Sequence, residues 1–468
     1  MKLKQLNISK LLVYFLIISV LFSFSGCRVK EAPVAKKQTE NVELTYYKLF
    51  DDPNVIEGII DEYEGQNPNV RINYRYFDDY LEYERVILNE LAEGRGPDIF
   101  SMPNSWFISN YRKVTPMPST LGSVASFEST FVDVARRDLV RPDDSGVDQI
   151  YALPMTVDTL AIYYNKDHFE DRNPITGKPA VTWDGIMEDV VLLNKVDNSF
   201  SRFEVSGLAM GRADNISNAV DILYLLFLNY GVKFYNPAMS EATFATQGGL
   251  ALKAFEFYTS FADPSQRYYS WNEFVADSDS PYPEVDAFVQ GKVSMIFGYS
   301  DTYQLILDRI KALKSEGVDV IEVPVVRISP TPQLEDPATS QSKRVAYASY
   351  FAETVSRTSA NSDIAWDFIV FMTLRDNLQV YFDQLKRPTS RRDLIEEQRQ
   401  NPIYGVFASQ VGYAESFPII DYVRYRDLFV NLIVAGNGGL IDSRGLQQVQ
   451  AEIKSLLPKD GYLPSIDN

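Results

Sequence analysis

From residue 42 onward, apolar positions switch repeatedly between strand-like alternation and helical spacing. Val42, Leu44 and Tyr46 alternate with polar neighbours, Val55, Ile56, Ile59, Ile60 and Tyr63 recur on one helical face, and Val70, Ile72, Tyr74 and Tyr76 alternate again. Strand, helix and strand in that order predict a βαβ unit with parallel strands, because a crossover helix returns the chain in its original direction. A second helix is predicted over 80–91, with Leu81, Leu88 and Leu91 on its buried side, stopped by Gly94-Arg95-Gly96-Pro97 before a strand opening at Asp98-Ile99-Phe100. Further strands are predicted at 160–165 and 207–210. Helices follow at 183–195, capped by Thr182 or Asp184, and at 216–230, 249–261, 301–313 and 363–374. No segment repeats, and this order of elements predicts the α/β class. The body from about 42 to 468 is long for one core and suits two lobes.

A different pattern precedes this body. Lys2, Lys4 and Lys10 lead into an uncharged apolar run from Leu11 to Phe24, which ends at Ser25, Gly26 and Cys27. The run is shorter than the roughly 20 residues of a lasting membrane span and reads as a secretion signal. These residues resemble the bacterial lipoprotein box, with Phe24 where Leu is preferred. The resemblance implies a signal peptide over 1–26 and a lipid on Cys27, the chain's single cysteine. A plain signal peptide and a retained membrane anchor are the alternatives. Residues 27–41 are polar, with Lys30, Pro33, Lys36 and Lys37, and predict a flexible tether spanning about 20 Å.

The formal net charge is −18, and loss of the three signal lysines takes it to −18 − 3 = −21. Such a body is repelled by phosphate backbones, which argues against nucleic-acid binding. Catalytic classes find little to work with. The only histidine, His168, stands at a strand end between Asp167 and Phe169 and reads as a surface residue, leaving no Ser-His-Asp set and no zinc site. A phosphate-binding Gly-x-x-x-x-Gly-Lys-Ser/Thr is absent. Asp277, Asp279, Glu284 and Asp286 are interrupted by Pro281, Tyr282 and Pro283, so they read as a solvated loop rather than a calcium loop. Nothing selects a glycosidase pair among the carboxylates. No cofactor or metal is expected.

Seven segments stand in a characteristic order: Tyr63 with Asn67-Pro68-Asn69-Val70; Gly94-Arg95-Gly96-Pro97-Asp98-Ile99; Tyr151-Ala152-Leu153-Pro154; Tyr164-Asn165-Lys166-Asp167-His168-Phe169; Thr182-Trp183-Asp184; 288–295 running into Gly298; and Ala365-Trp366-Asp367-Phe368-Ile369. In this order they resemble the family 1 extracellular solute-binding proteins, a group that includes the maltose-binding protein of bacterial importers, over nearly the whole body. The resemblance implies a two-lobed, type II periplasmic-binding-protein-like α/β fold, with an interlobe cleft and crossing hinge strands. It implies lobe one at 42–155 plus 297–373 and lobe two at 156–296 plus 374–468. Pro154, unable to donate to a ladder, fits the crossing.

Carried over by position, the ligand-facing residues are Asp51 in the loop 48–52, Asn104, Trp106, Asp158, Tyr299, Ser300, Asp301, Ser349, Tyr350 and Tyr422. Asp158 matches a place where a carboxylate accepts sugar hydroxyls. Arg212 and Asn215 either donate from lobe two or form a turn in which Asn215 caps the next helix. A pyranose has an apolar face and a belt of hydroxyls, so rings and carboxylates together suit it. The implied function is capture of a small solute, foremost a carbohydrate or oligosaccharide, by a non-catalytic monomer held by lipid outside the membrane, in a periplasm or on an open surface. Its implied partner is the permease of an ABC-type importer. A surface receptor or non-transport lipoprotein on the same fold is the alternative, as is a binder of peptides or polyamines.

Overall fold

The computed structural model describes residues 41–197, 202–277, 279–335, 343–439 and 443–457. The expected signal segment, Cys27 and the tether up to residue 40 lie outside the described residues.

The predicted βαβ unit opens the fold. Strand Val42–Leu49 pairs in parallel with Val70–Phe77 along its whole length, from Val42 opposite Val70 to Leu49 opposite Phe77. The helix between them, Pro53–Gln66, starts where Asp52 accepts the Asn54 amide at 2.9 Å and Pro53 presets the first turn. Ile56, Ile59, Ile60 and Tyr63 form its buried face. In space the sheet runs Val70–Phe77, Val42–Leu49, Ile99–Pro103, Phe351–Ser356 and Val114–Thr115, with Leu153–Pro154 pairing at the side of Phe351–Ser356. Pro154 thus sits where no further ladder bond is required of it. Helix Tyr80–Ala92 packs chiefly through Tyr83 and Ile87, with the expected Leu91 partly buried against the same core. Leu81 is 56% exposed, because the larger Tyr83 ring turns the helix and donates its hydroxyl to the Ser101 carbonyl at 2.6 Å.

A second core forms around three antiparallel strands in the order Met295–Gly298, Ala161–Asn165 and Val326–Ser329. Helices Trp183–Leu193, Ala219–Asn229, Leu250–Ser260, Thr302–Ser315, Tyr422–Asn437 and Ser443–Leu456 supply buried side chains to it. Thr182 caps the first of these by accepting the Gly185 amide at 3.2 Å. The stretch 207–210 is not a strand. Leu208, Ala209 and Met210 are buried, but the local ladder ends with Ser206 bridging Val293, and the strand here is Phe203–Val205.

Core membership shows where the chain changes sides. Val157 packs in the first core and Leu160 in the second, Tyr347 in the second and Ala348 in the first, and Ala414 in the first and Phe417 in the second. These three crossings meet in one small sheet, ordered Ala414–Glu415, Ala346–Ser349, Asp158–Thr159, and between Leu394 and Val411 the chain also visits the second core through Tyr404 and Phe407. The segment 297–373, placed by sequence in lobe one, is divided. Ile306, Ile310, Leu313 and Val326 pack in the second core because Val326–Ser329 pairs with Ala161–Asn165, whereas Ala352, Val355 and Trp366 pack in the first. Past residue 374, Leu378, Tyr381 and Leu394 also belong to the first core.

Two surface expectations are corrected. His168 is half-buried, with Nδ1 2.9 Å from Ser294 Oγ, and burial lowers its pKa. Glu284 and Asp286 are buried in helix Pro283–Val289. Glu284 accepts the Ser217 amide at 3.0 Å, and Asp286 pairs with Arg309 at 2.6 Å. Their charges are taken up inside the fold, so they are not a solvated loop. No helix among the described residues is long and apolar enough to cross a membrane.

Candidate functional site

At the end of strand Val42–Leu49, Lys48 and Asp51 turn inward, only 3% and 1% exposed. Lys48 pairs with Glu353, itself 0% exposed, and lies 3.2 Å from Asp51, while Ser101 Oγ donates to Glu353 at 2.9 Å. Burial favours the neutral amine of Lys48, but Glu353 and Asp51 overcome it and hold its pKa above the ordinary lysine value. Burial likewise opposes the Asp51 carboxylate; Lys48, Arg387 and the Tyr381 hydroxyl keep its pKa below the ordinary value.

Arg387 links this group to a second one. Helix Arg375–Leu385 ends with Lys386 in the left-handed region at φ 59°, and the turn brings Arg387 to 3.4 Å from Asp51. Burial lowers the Arg387 pKa, yet the charges of Asp51, Asp301 and Asp158 outweigh it and hold the value above that of ordinary arginine. Asp158 reaches the same place from the small crossing sheet, where it pairs with Ser349. Its carboxylate accepts from Ser300 N at 3.0 Å, Ser300 Oγ at 2.6 Å and Thr159 N at 2.8 Å. Burial and the neighbouring Asp301 nevertheless push its pKa up to about 7. Ser300 and Asp301 precede helix Thr302–Ser315 in a turn that needs Gly298, since a Cβ there would lie 2.5 Å from Thr302 Oγ1.

A third group is aromatic. Tyr299 donates its hydroxyl to Asp221 at 2.8 Å, and burial pushes the Asp221 pKa up to about 6 despite that bond. Tyr422 feels Asp221 as the chief cause of its own raised pKa. The Tyr422 ring is 5.7 Å from Tyr80, whose hydroxyl accepts from Trp106 Nε1 at 2.6 Å. Trp106 and Tyr422 line a groove of about 600 Å³ that also includes the exposed Leu81. Asn104 donates to Asp138 at 3.2 Å, as do the Tyr350 hydroxyl at 2.7 Å and Ser416 Oγ at 2.6 Å, and the Asn104 amide bonds the Tyr350 carbonyl at 2.9 Å.

Sequence-predicted residues therefore fall into connected sets: Asp51, Asp158, Ser300 and Asp301 around Arg387, with Ser349 beside Asp158; Tyr299, Trp106 and Tyr422 near Asp221 and Tyr80; and Asn104 with Tyr350 on Asp138. Arg212 is not among them, for it is tied to Asp214 at 2.5 Å and Glu273 at 3.0 Å. Asn215 accepts from Trp271 Nε1 at 2.8 Å inside the second core and caps nothing; the cap residue of helix Ala219–Asn229 is Asn218. Sequence reading missed Arg387, Asp221, Asp138 and Tyr80. Asp221 carried a usable signal, as the one acid in an otherwise apolar helix. Among the described residues, no three His, Cys, Asp or Glu side chains are grouped to hold a metal ion. Chemically the arrangement offers carboxylate acceptors, a guanidinium and ring faces, which is binding equipment.

A family model for bacterial extracellular solute-binding proteins matches residues 50–378. A binding protein of Brucella abortus (strain 2308) is 21% identical over 316 residues, 67% of each chain. Among solved structures, the sugar-binding protein MalE of Xanthomonas citri superposes with a TM-score of 0.69 at 13% identity, covering 88% of this chain and 97% of that one. The cyclic alpha-maltosyl-1,6-maltose binding protein of Arthrobacter globiformis gives 0.67 at 14%, covering 88% and 98%. At such identities the likeness is one of fold, that of type II periplasmic binding proteins.

Proposed function

Because the chain belongs to the bacterial extracellular solute-binding protein family, we propose that it captures a carbohydrate between its two cores and hands it to the permease of an ABC-type importer. The observation that carries this reading is Asp158. It is a carboxylate at a crossing strand, ringed by Ser300, Asp301 and Arg387, with acceptor capacity that an incoming hydroxyl can use. Trp106, Tyr80, Tyr299 and Tyr422 supply ring surface for the apolar face of a sugar. Two neighbours by fold are named for sugar ligands, a cyclic maltosyl-maltose in one case, which supports the same class. Lobe one takes the first core and lobe two the second, and closure occurs about the three crossings. Asp51, Asn104, Ser300, Asp301, Ser349 and Tyr350 serve from the crossing side. Arg212 has a structural role. The protein catalyses no step.

Export and anchoring belong to the same proposal, with Cys27 carrying the lipid and the monomeric body held at the outer side of the membrane. Replacing Cys27 by Ala should move the protein from the membrane fraction to the soluble one; unchanged membrane partition refutes the anchor. Titration calorimetry of the purified protein against maltooligosaccharides, peptides and polyamines tests the ligand class. Saturable heat with a sugar, reduced at least about fivefold in affinity in Asp158→Ala, is expected, since a buried acceptor for hydroxyls contributes about 1–3 kcal/mol. Binding of peptides alone would overturn the carbohydrate reading.

A further inference from the structure

We propose that the cavity between Arg141 and the segment 228–247, which has Asp138 and Ser416 but not Asp158, Ser300, Asp301 or Arg387 in its lining, is a second binding site, and that it takes a small carboxylic acid with an apolar body. The cavity measures about 510 Å³, within the roughly 300–1,000 Å³ of small-molecule sites. Its walls come from both cores. Leu228, Val232, Phe234, Met239 and Phe417 give an apolar surface suited to alkyl or aryl carbon, beside the polar Tyr235, Asn236, Thr243, Gln247 and Ser416.

The lining also carries a surplus of cations. Arg137, Arg141, Lys233 and Lys343 face Asp138 and Glu415, four cations to two carboxylates, in a protein whose formal net charge is −18. Most of these groups are already engaged. Lys343 pairs with Glu415, Arg137 donates to the Ala414 carbonyl at 2.9 Å, and the oxygens of Asp138 are taken by Tyr350, Ser416 and Asn104. Arg141 is different. It is 6% exposed, its backbone is fixed by the pairing of Val140–Pro142 with Asp148–Ile150, and its Nε has no hydrogen-bond partner. A buried guanidinium N–H left unmet is costly, and a carboxylate is the anion whose two oxygens fit the guanidinium fork. Asp138 offsets the charge of Arg141, but an apolar surface beside a buried guanidinium with an unmet N–H favours an acid over the matching alcohol.

The test uses octanoate and phenylacetate as probes, with octanol and 2-phenylethanol as their uncharged counterparts, in calorimetry on the purified protein. One or both acids should bind with a dissociation constant below about 1 mM, and the matching alcohol at least tenfold more weakly. Arg141→Gln should weaken the acid at least tenfold while Arg141→Lys retains part of it, and thermal melts check that each variant is folded. If Arg141 variants do not fold, Val232→Trp, which fills the cavity from its apolar side, should abolish binding. Asp158→Asn should leave octanoate affinity unchanged, which separates failure here from failure of the sugar reading. Absence of acid binding up to about 10 mM, equal affinity for acid and alcohol, indifference to Arg141→Gln or Val232→Trp, or loss of the acid in Asp158→Asn would each overturn the proposal.

Discussion

Replacing Asp158 by Asn should change the pH dependence of stability in a direction opposite to its effect on ligand affinity. Well below pH 3.8 the carboxyl is protonated in both the folded and the unfolded chain, so it contributes nothing to the difference between them. As pH rises past 3.8 the unfolded chain releases the proton, while the folded chain keeps it until about 7. The folded state then binds more protons, and stability declines through that window. The interval from 3.8 to about 7 corresponds to roughly 4 kcal/mol, at about 1.4 kcal/mol per pH unit. Asn cannot titrate and escapes this loss. Its carboxamide keeps an oxygen for Ser300 but turns an NH2 toward the Thr159 amide, now 2.8 Å from a carboxylate oxygen, at a pH-independent cost of about 1 kcal/mol. The variant should therefore be slightly less stable than the parent at pH 4 and about 2–3 kcal/mol more stable at pH 8. Urea unfolding followed by circular dichroism at five pH values reads the difference directly, and the other carboxylates cancel between the two proteins. A difference that stays constant within about 1 kcal/mol from pH 4 to 8 would refute the reasoning.

Other outcomes follow from the same geometry. Sugar affinity should rise between pH 6 and 8, as Asp158 and Asp221, poised at about 7 and about 6, become full acceptors; a flat calorimetric profile would mean the protonated acids bind equally well. Lys48→Met strands Glu353 and Asp51, 0% and 1% exposed, with Arg387 as the remaining counter-charge to Asp51. It should cost about 3–5 kcal/mol in urea unfolding, and a loss under about 1 kcal/mol would show the pair to be dispensable. Gly298→Ala drives a methyl to 2.5 Å from Thr302 Oγ1 and should lower stability by about 1–3 kcal/mol. Adding Thr302→Ala, which removes the Oγ1 and the methyl that the new Cβ would meet at 2.5 and 2.7 Å, should recover part of it; no recovery points to backbone strain instead.

Local patterning was legible in the sequence wherever one residue's neighbours along the chain decide its fate. The apolar spacing over 55–63 became the buried face of Pro53–Gln66, and alternation at 42–46 and 70–76 became a parallel pair in full register. The order of motifs also identified the family and the α/β class. Misreadings arose where distant residues compete. Leu81 lost its buried place to Tyr83, whose ring finds a carbonyl from another strand, and Glu284 and Asp286 look like loop acids until Ser217 and Arg309 arrive from elsewhere in the chain.

The candidate site divides the same way. Asp158, Ser300 and Asp301 stand in segments recognisable one at a time, so their residue types could be read directly. That Arg387 sits among them depends on a left-handed turn at Lys386 and on a helix returning to the first core after the chain has visited the second. The sequence by itself determined the elements, the family and the acids at the crossings. Tertiary structure alone decided which cation those acids share, and it left Arg141 beside a cavity with an unmet N–H. The physical reason is that periodicity and capping act within a few residues, whereas a buried charge takes its partner and its pKa from side chains that only folding brings within a few ångströms.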